Sequence, residues 1–218
     1  FPMFSPDGER IAYSSWRSDT NQDGHIDLRD NSAIYEFNMR NGQENLLVSD
    51  EFSNSYPTFS PDGNSLVYLS RRRDTNNDGV INSLDNSGVY IMDIGRKKER
   101  QIVSDEHYNK FPFFSYDSKY VIYLGSWRIM KKKPDEMDAD HSEYFENNGI
   151  HCVDADGDNE REIVSTKHYG CRFLVPSPTA NVVAYISWRK DTNRGLYLAP
   201  FDRLPDNAEI LSYINQNL

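Results

Sequence analysis

One segment recurs four times in this sequence, and that repetition constrains the fold more than any other feature. FPMFSPDGERIAYSS at residues 1–15 returns, with substitutions, at 56–70, 111–125 and 173–187. Each copy reads as two short strands, and two further strand-like segments follow before the next copy begins. The sequence therefore predicts four repeats of four strands each. The repeats cover about 1–55, 56–110, 111–172 and 173–218.

The Ser-Pro-Asp-Gly sequence after the first strand is typical of a tight turn between antiparallel strands. A four-stranded unit of this kind cannot bury both of its faces alone, so neighbouring units must stack. Radial stacking with one sheet per blade gives a β-propeller, and we predict an all-β, single-domain β-propeller over residues 1–218. A β-sandwich leaves the regular period unexplained.

The pattern FSPDGxxIAYxS, followed by IY, resembles the WD40-like (PD40) repeat of the TolB-type propellers. The resemblance covers nearly the whole chain, and it is strong in the first two repeats. It weakens in the third, where Tyr116, Asp117 and Ser118 replace Pro-Asp-Gly, and it is weakest in the fourth. Propellers of this type usually have six or more blades. The four repeats thus form either a rare closed ring or, as we favour, an arc completed by further sequence or another chain. The resemblance implies a fold rather than a function.

Two acidic stretches, DTNQDGHIDLRD and DTNNDGVINSLD, repeat one arrangement of oxygen donors 55 residues apart. Their spacing matches the EF-hand calcium loop, with glycine at position 6 for the sharp turn. We therefore predict two calcium ions, one in each stretch. The predicted ligands at positions 1, 3, 5, 7, 9 and 12 are Asp19, Asn21, Asp23, His25 (carbonyl), Asp27 and Asp30, then Asp74, Asn76, Asp78, Val80 (carbonyl), Asn82 and Asp85.

Position 12 is Asp rather than Glu in both stretches, which resembles dockerin loops more than sensor EF-hands. No helix pair flanks either stretch, so we expect a structural ion rather than a switch. Ile26 and Ile81 at position 8 are expected to pack into apolar surroundings. The alternative is an acidic loop of Asx-turns without an ion. The fourth repeat lacks positions 5 to 12, and the third has neither the glycine nor the spacing.

Recurring side chains supply the other candidates for function. His107 and His168 precede the first strand of their repeats, and we treat them as candidate ligand-binding residues. Trp16, Trp127 and Trp188 are each followed by Arg. These pairs could form a binding surface, but their recurrence favours structure, with Arg anchoring the loop carboxylates. We find no nucleophile elbow, phosphate loop or His-Glu-x-x-His motif.

The net charge of −10 argues against nucleic-acid binding. No apolar run is long enough to span a bilayer, and no signal-peptide pattern is present. Cys152 and Cys171 could pair or remain buried thiols.

Together these features predict a non-catalytic, calcium-stabilised propeller outside the cytoplasm, whether periplasmic, on the cell surface or secreted. We expect a scaffold, or a module that binds a protein or glycan partner, within a larger assembly. The alternative is the propeller domain of an enzyme, either a polysaccharide lyase or a peptidase.

Overall fold

The computed structural model describes residues 2–82, 85–126, 148–165, 170–189 and 192–201. These residues form fifteen β-strands and, within those ranges, no helix. The strands build separate antiparallel sheets in chain order, each strand pairing with the next. The all-β class predicted from the repeats is confirmed.

The sheets correspond to the four repeats and are called blades 1 to 4. Blade 1 contains β1 (Met3–Phe4), β2 (Arg10–Ser15), β3 (Ala33–Asn38) and β4 (Glu44–Val48). Blade 2 contains β5 (Ser53–Phe59), β6 (Ser65–Arg71), β7 (Gly88–Asp93) and β8 (Lys98–Val103). Blade 3 contains β9 (Tyr108–Phe114), β10 (Tyr120–Ser126), β11 (Asn148–Asp154) and β12 (Arg161–Val164). Blade 4 contains β13 (Gly170–Pro176), β14 (Val182–Arg189) and β15 (Thr192–Pro200), and its predicted fourth strand lies outside the described residues.

The turn between the first two strands of a blade forms as its sequence predicts. In blade 1 the Gly8 N–H donates to the Ser5 carbonyl at 2.9 Å, and Gly8 adopts a φ of 72°. Blade 2 repeats this turn with Ser60 and Gly63. In blade 3 the glycine is replaced by Ser118, which still adopts a φ of 60°. The third repeat therefore keeps the turn at the cost of a left-handed non-glycine residue.

The apolar core lies between neighbouring blades rather than within any one of them. One cluster joins blades 1 and 2 around Ile34 and Leu66, and a second joins blades 2 and 3 around Val89 and Val121. The third joins blades 3 and 4. Among the described residues, none of the three clusters joins blade 4 to blade 1. The four blades thus stack in series, as the repeat pattern predicts for a β-propeller.

The first strand of each later blade contains an irregularity that the sequence pattern does not reveal. Tyr56, Phe111 and Phe173 have φ values of 55°, 50° and 55°, where side-chain crowding disfavours aromatic residues. Strand pairing shifts register at the same points. The Tyr56 and Phe111 rings meet edge to face at 5.1 Å, so neighbouring blades contact one another through these residues.

Candidate functional site

Both acidic stretches lie at the same end of neighbouring blades. Loop A (residues 19–30) connects β2 to β3, and loop B (residues 74–85) connects β6 to β7. Each loop is followed by an asparagine that holds the next interblade connection. The Asn31 side chain donates to the Glu51 carbonyl at 3.2 Å, and Asn86 donates to Glu106 at 3.3 Å. The β-sheet scaffold therefore fixes the C-terminal end of each loop.

The first half of loop A is organised by side chains that accept main-chain hydrogen bonds. Asp19 accepts from the Asp23 N–H at 3.1 Å and from the Gly24 N–H at 2.8 Å, through different carboxylate oxygens. Asn21 Oδ1 accepts from the same Asp23 N–H at 2.9 Å. Gly24 has a φ of 88°, the conformation for which position 6 requires glycine. The side chains at positions 1 and 3 therefore converge on one nitrogen.

Asp30 closes the loop. It is 3% exposed, and its two carboxylate oxygens accept three main-chain hydrogen bonds. The donors are the N–H groups of Thr20 at 2.7 Å, Asn21 at 3.2 Å and Asp27 at 2.9 Å. These donors, the Asp27 N–H first among them, hold the pKa of Asp30 below its ordinary value. An anionic Asp30 thus ties the start of the loop to its end.

Loop B repeats this network almost distance for distance. Asp74 accepts from the Asp78 N–H at 3.1 Å and from the Gly79 N–H at 2.8 Å. Asp85, which is fully buried, accepts from Thr75 at 2.6 Å and Asn82 at 2.8 Å. Because two different sequences fold into one hydrogen-bonded shape, the shape follows from the residues they share.

The predicted ligands can be compared with the requirements of a cation. Among the described residues, no three His, Cys, Asp or Glu side chains are grouped as a metal site. The acids at positions 1 and 12 instead face main-chain N–H groups. The structure does bring together positions 1, 3 and 5, since the Asn21 side chain also donates to Asp23 at 3.3 Å. Asp27 and Asp30 have other partners, since the Asp27 carboxylate accepts from the Arg29 side chain and Asp30 accepts from the main chain.

The equivalent cluster in loop B is Asp74, Asn76 and Asp78, joined by the same contacts. At positions 7 and 9 the Asn82 amide donates to the Val80 carbonyl at 3.4 Å. All these candidate donors are oxygens, which fits a hard cation such as calcium rather than zinc or copper.

Loop A contains an ion pair that loop B lacks. The Arg29 guanidinium lies 2.7 Å from the Asp27 carboxylate and 3.7 Å from that of Asp23. The side-chain hydrogen bond from Arg29 is the main reason that the pKa of Asp27 is lowered. At the corresponding positions loop B has Asn82 and Leu84.

The expectation that position 8 packs into apolar surroundings is wrong. Ile26 is 56% exposed and Ile81 is 41% exposed. Polar contacts secure the loops instead, because Thr20 accepts from the Asn31 N–H at 2.7 Å while Asp30 binds the amides. The hydrogen-bond network is thus sufficient to hold the loop without an apolar anchor.

The recurring arginines do not bind the loop carboxylates, and that expectation is also wrong for blades 1 and 2. Arg17 stacks over the Tyr35 ring at 3.9 Å and lies 2.5 Å from Glu44 on the outer strand β4. Arg72 stacks on Tyr90 at the same distance and pairs with Glu99 of β8. These arginines fasten the outer strand of the blade. Trp127 and Arg128 lie outside the described residues, as do the side chains of Trp188 and Arg189.

Of the two candidate histidines, His107 lies among the described residues and His168 does not. His107 lies just before β9, beside a small space that Tyr123, His151 and Glu160 also line. Sequence reasoning missed His151, which is 7% exposed and stacks on Tyr123 at 5.4 Å.

Comparison of the four blades identifies His151 as an exception. The other blades place tyrosine at the same point of the third strand, in the stacked pairs Tyr13–Tyr35, Tyr68–Tyr90 and Tyr185–Tyr197. Within the described part of the chain, His151 Nε2 is buried without a hydrogen-bond partner. Burial lowers the pKa of His151, which favours the neutral ring.

The cysteines are unpaired in this structure. Cys152 and Cys171 are both fully buried in the core between blades 3 and 4. Burial raises the pKa of Cys152 to about 11 and that of Cys171 to about 12. Both thiols are therefore inert packing groups at neutral pH. Within the described ranges, no helix has the length and hydropathy to cross a membrane.

Comparisons with known proteins support the architecture. No protein-family model matches the sequence. Dipeptidyl-peptidase 5 of Porphyromonas gingivalis is 31% identical over 123 residues, which are 56% of this chain and 17% of that protein. The structure of a putative TolB from Agrobacterium tumefaciens matches with a TM-score of 0.62 and 23% identity, over 91% of this chain and 60% of that one. An oligogalacturonate lyase in complex with manganese matches at 0.63 and 17%, over 94% and 50%.

The chain therefore has the fold of the TolB-type β-propellers, as its repeats predict. It spans less than two thirds of the length of each of these three proteins. Two of these matches have low sequence identity, and the third covers only a short region. They therefore support the fold, and the function must be argued from the site.

Proposed function

We propose that this chain is a calcium-stabilised β-propeller module that works outside the cytoplasm as a scaffold or as a binding unit for a protein or glycan. The observation that carries the proposal is the hydrogen-bond network that loops A and B share. The network holds three oxygen-bearing side chains together at positions 1, 3 and 5 of each loop. Such a preformed half-site is what a hard cation needs.

The role of the ions is structural. Each set of candidate ligands comes from a single short loop, as is expected of an ion that holds the loop in shape. Asp19 and Asp23 are drawn towards one another by main-chain contacts, and their like charges repel at short range. A bound calcium ion removes that repulsion and fixes the loop on the blade end. We assign one ion to each loop.

The proposed location outside the cytoplasm follows from the calcium affinity expected of such a loop. Isolated calcium modules with modest charge are filled at the near-millimolar calcium of extracytoplasmic spaces. The net charge of −10 suits a module that works in that environment and does not bind nucleic acid. Four blades with a common face provide a rigid platform for a partner within a larger assembly.

An enzyme domain is the second candidate. It is favoured by the match to part of a dipeptidyl-peptidase and of a lyase, and by the buried His151 beside His107. In this alternative the propeller accompanies a catalytic domain or uses its own histidines. Loss of turnover in His107→Ala, with folding intact, would favour this alternative.

Calcium stoichiometry tests the proposal. Isothermal titration of the chelator-treated chain should give two ions per chain, and the variants Asp23→Asn and Asp78→Asn should give one each. Asp62→Asn, in a turn at the opposite end of blade 2, is the control and should keep two. A stoichiometry of zero in the unmodified chain would overturn the proposal.

A further inference from the structure

A cleft of about 920 Å³ lies where blade 1 meets blade 2, between loops A and B. Residues of both loops line it, together with residues from the ends of β2, β5 and β6. Ser14, Ser53 and Ser55 contribute hydroxyl groups, and Arg71 contributes a guanidinium. The cleft is therefore walled by the loops to which the ions are assigned.

Small side chains keep this junction open. The equivalent junction between blades 2 and 3 has Leu69, Tyr108 and Lys110 where the cleft has Ser14, Ser53 and Ser55. Leu69 is 2% exposed there, and the Lys110 ammonium lies 4.6 Å from the centre of the Tyr108 ring. The two junctions have the same strand pairing. Ser53 pairs with Arg71 at the first junction, and Tyr108 pairs with Ser126 at the second. Three larger side chains at the junction of blades 2 and 3 therefore occupy the positions that serines hold at the junction of blades 1 and 2.

The polar groups of the cleft are not fully satisfied by the chain. Ser55 Oγ is buried, and within the described ranges it has no hydrogen-bond partner. Arg71 donates through Nε to the Asp85 carbonyl at 3.3 Å. None of the described carboxylates forms an ion pair with it, whereas Arg72 and Arg73 pair with Glu99 and Asp105. Arg29 also lines the cleft but is paired with Asp27, so Arg71 is the arginine of the cleft to which an external anion can bind.

Apolar side chains flank this arginine. Trp16 is 39% exposed, Leu28 75%, Val80 60% and Ile81 41%, and all four line the cleft. Exposed aliphatic groups gathered around a cleft indicate an apolar ligand surface. They suit the side chains of a peptide better than the hydroxyl groups of a sugar.

We propose that this cleft binds an acidic, apolar peptide segment of a protein partner, with a ligand carboxylate on Arg71 and an aliphatic side chain against Trp16 and Leu28. The inference rests on the proposed function, a module that binds a partner, and it names the class of that partner. The Ser55 hydroxyl serves as a further hydrogen-bond donor or acceptor to the peptide. Arg71 sets the preference for a carboxylate, the bound calcium ions offset most of the negative charge of the two loops, and the serines provide the space.

The experiment uses two labelled, capped peptides, acetyl-Ala-Leu-Glu-Leu-Ala amide and the same peptide with Gln for Glu. Fluorescence anisotropy of each is followed during titration with the full chain in saturating calcium. The Glu peptide should bind at least fivefold more tightly than the Gln peptide. Arg71→Gln should remove this difference, while the matched control Arg96→Gln, an exposed arginine at the opposite end of blade 2, should retain it.

Ser53→Tyr copies blade 3 and should narrow the cleft, weakening the binding of both peptides at least fivefold. Ser53→Ala leaves the space open and should change affinity less than twofold. Peptide affinity unchanged by Ser53→Tyr, or no binding up to millimolar peptide, overturns the inference. Arg71-dependent binding of a uronic acid trisaccharide in preference to the peptide also overturns it, in favour of a glycan. Since the titrations are made on chain shown to hold two calcium ions, their failure is distinct from failure of the proposed function.

Discussion

Loops A and B share a hydrogen-bond network but differ in their charged residues. At positions 9 and 11 loop A carries Asp27 and Arg29, which form an ion pair, whereas loop B carries Asn82 and Leu84. Loop A has four aspartates and one arginine, and loop B has three aspartates, so each carries three net negative charges. The shape of the loop therefore depends on the residues at positions 1, 3, 5, 6 and 12. Position 9 can be an uncharged Asn, or an Asp whose charge a neighbouring arginine compensates.

The largest expected effect comes from removing the acid at position 12. Asp85→Ala leaves three main-chain N–H groups without their acceptor, and a hydrogen bond to a charged group is worth about 1.5–3 kcal/mol. We expect a loss of about that size in the free energy of unfolding, measured by urea denaturation. Asp30→Ala should destabilise the chain in the same direction. Equal stability of either variant and the unmodified chain would show that the network does not hold the loop.

A smaller effect is expected at position 6. Gly24 and Gly79 have φ values of 88° and 90°, and no atom lies within 4 Å of an added Cβ at either residue. Alanine there therefore costs only backbone strain, about 1–2 kcal/mol. Gly95→Ala is the control, because Gly95 does not have a positive φ and has room for a Cβ. Differential scanning calorimetry of the three variants should show lower melting temperatures for the two loop variants only.

The smallest effects come from exchanging the features that distinguish the loops. Arg29→Leu removes the compensating charge and should tighten calcium binding by loop A about two- to fivefold at low salt, an effect that salt screens. Asp27→Asn should weaken binding by a similar factor. The double variant has the position 9 and 11 residues of loop B and should bind like loop B. A double variant whose loop A differs from loop B by more than tenfold in calcium affinity would contradict this equivalence.

The sequence predicted the features that depend on local repetition. Four copies of one strand–turn–strand segment imply stacked sheets because each sheet must bury its faces against a neighbour. The ligand spacing predicted that Asp19, Asn21 and Asp23 converge, since a turn with glycine at position 6 can fold in few ways. Assignment of calcium to these loops remains a prediction.

Features that depend on contacts between distant segments were not predictable in this way. Arg17 stacks on Tyr35 and reaches Glu44 on the outer strand, a geometry that appears only in the assembled sheet. Ile26 is exposed at the blade end, where polar contacts hold the loop. The cleft depends on Ser14 and Ser53 lying on adjacent blades. The importance of their small size becomes clear only by comparison with Tyr108, which corresponds to Ser53 at the next junction.

A thermal melt in millimolar calcium, compared with the same melt in chelator, tests the central claim most directly. A ligand at one hundred times its dissociation constant stabilises the folded state by about 2.7 kcal/mol, which corresponds to several degrees for a chain of this size. We expect a shift of that order, reduced by Asp23→Ala and again by Asp78→Ala. Identical midpoints in calcium and in chelator, from a chain that metal analysis shows to be free of calcium, would contradict it.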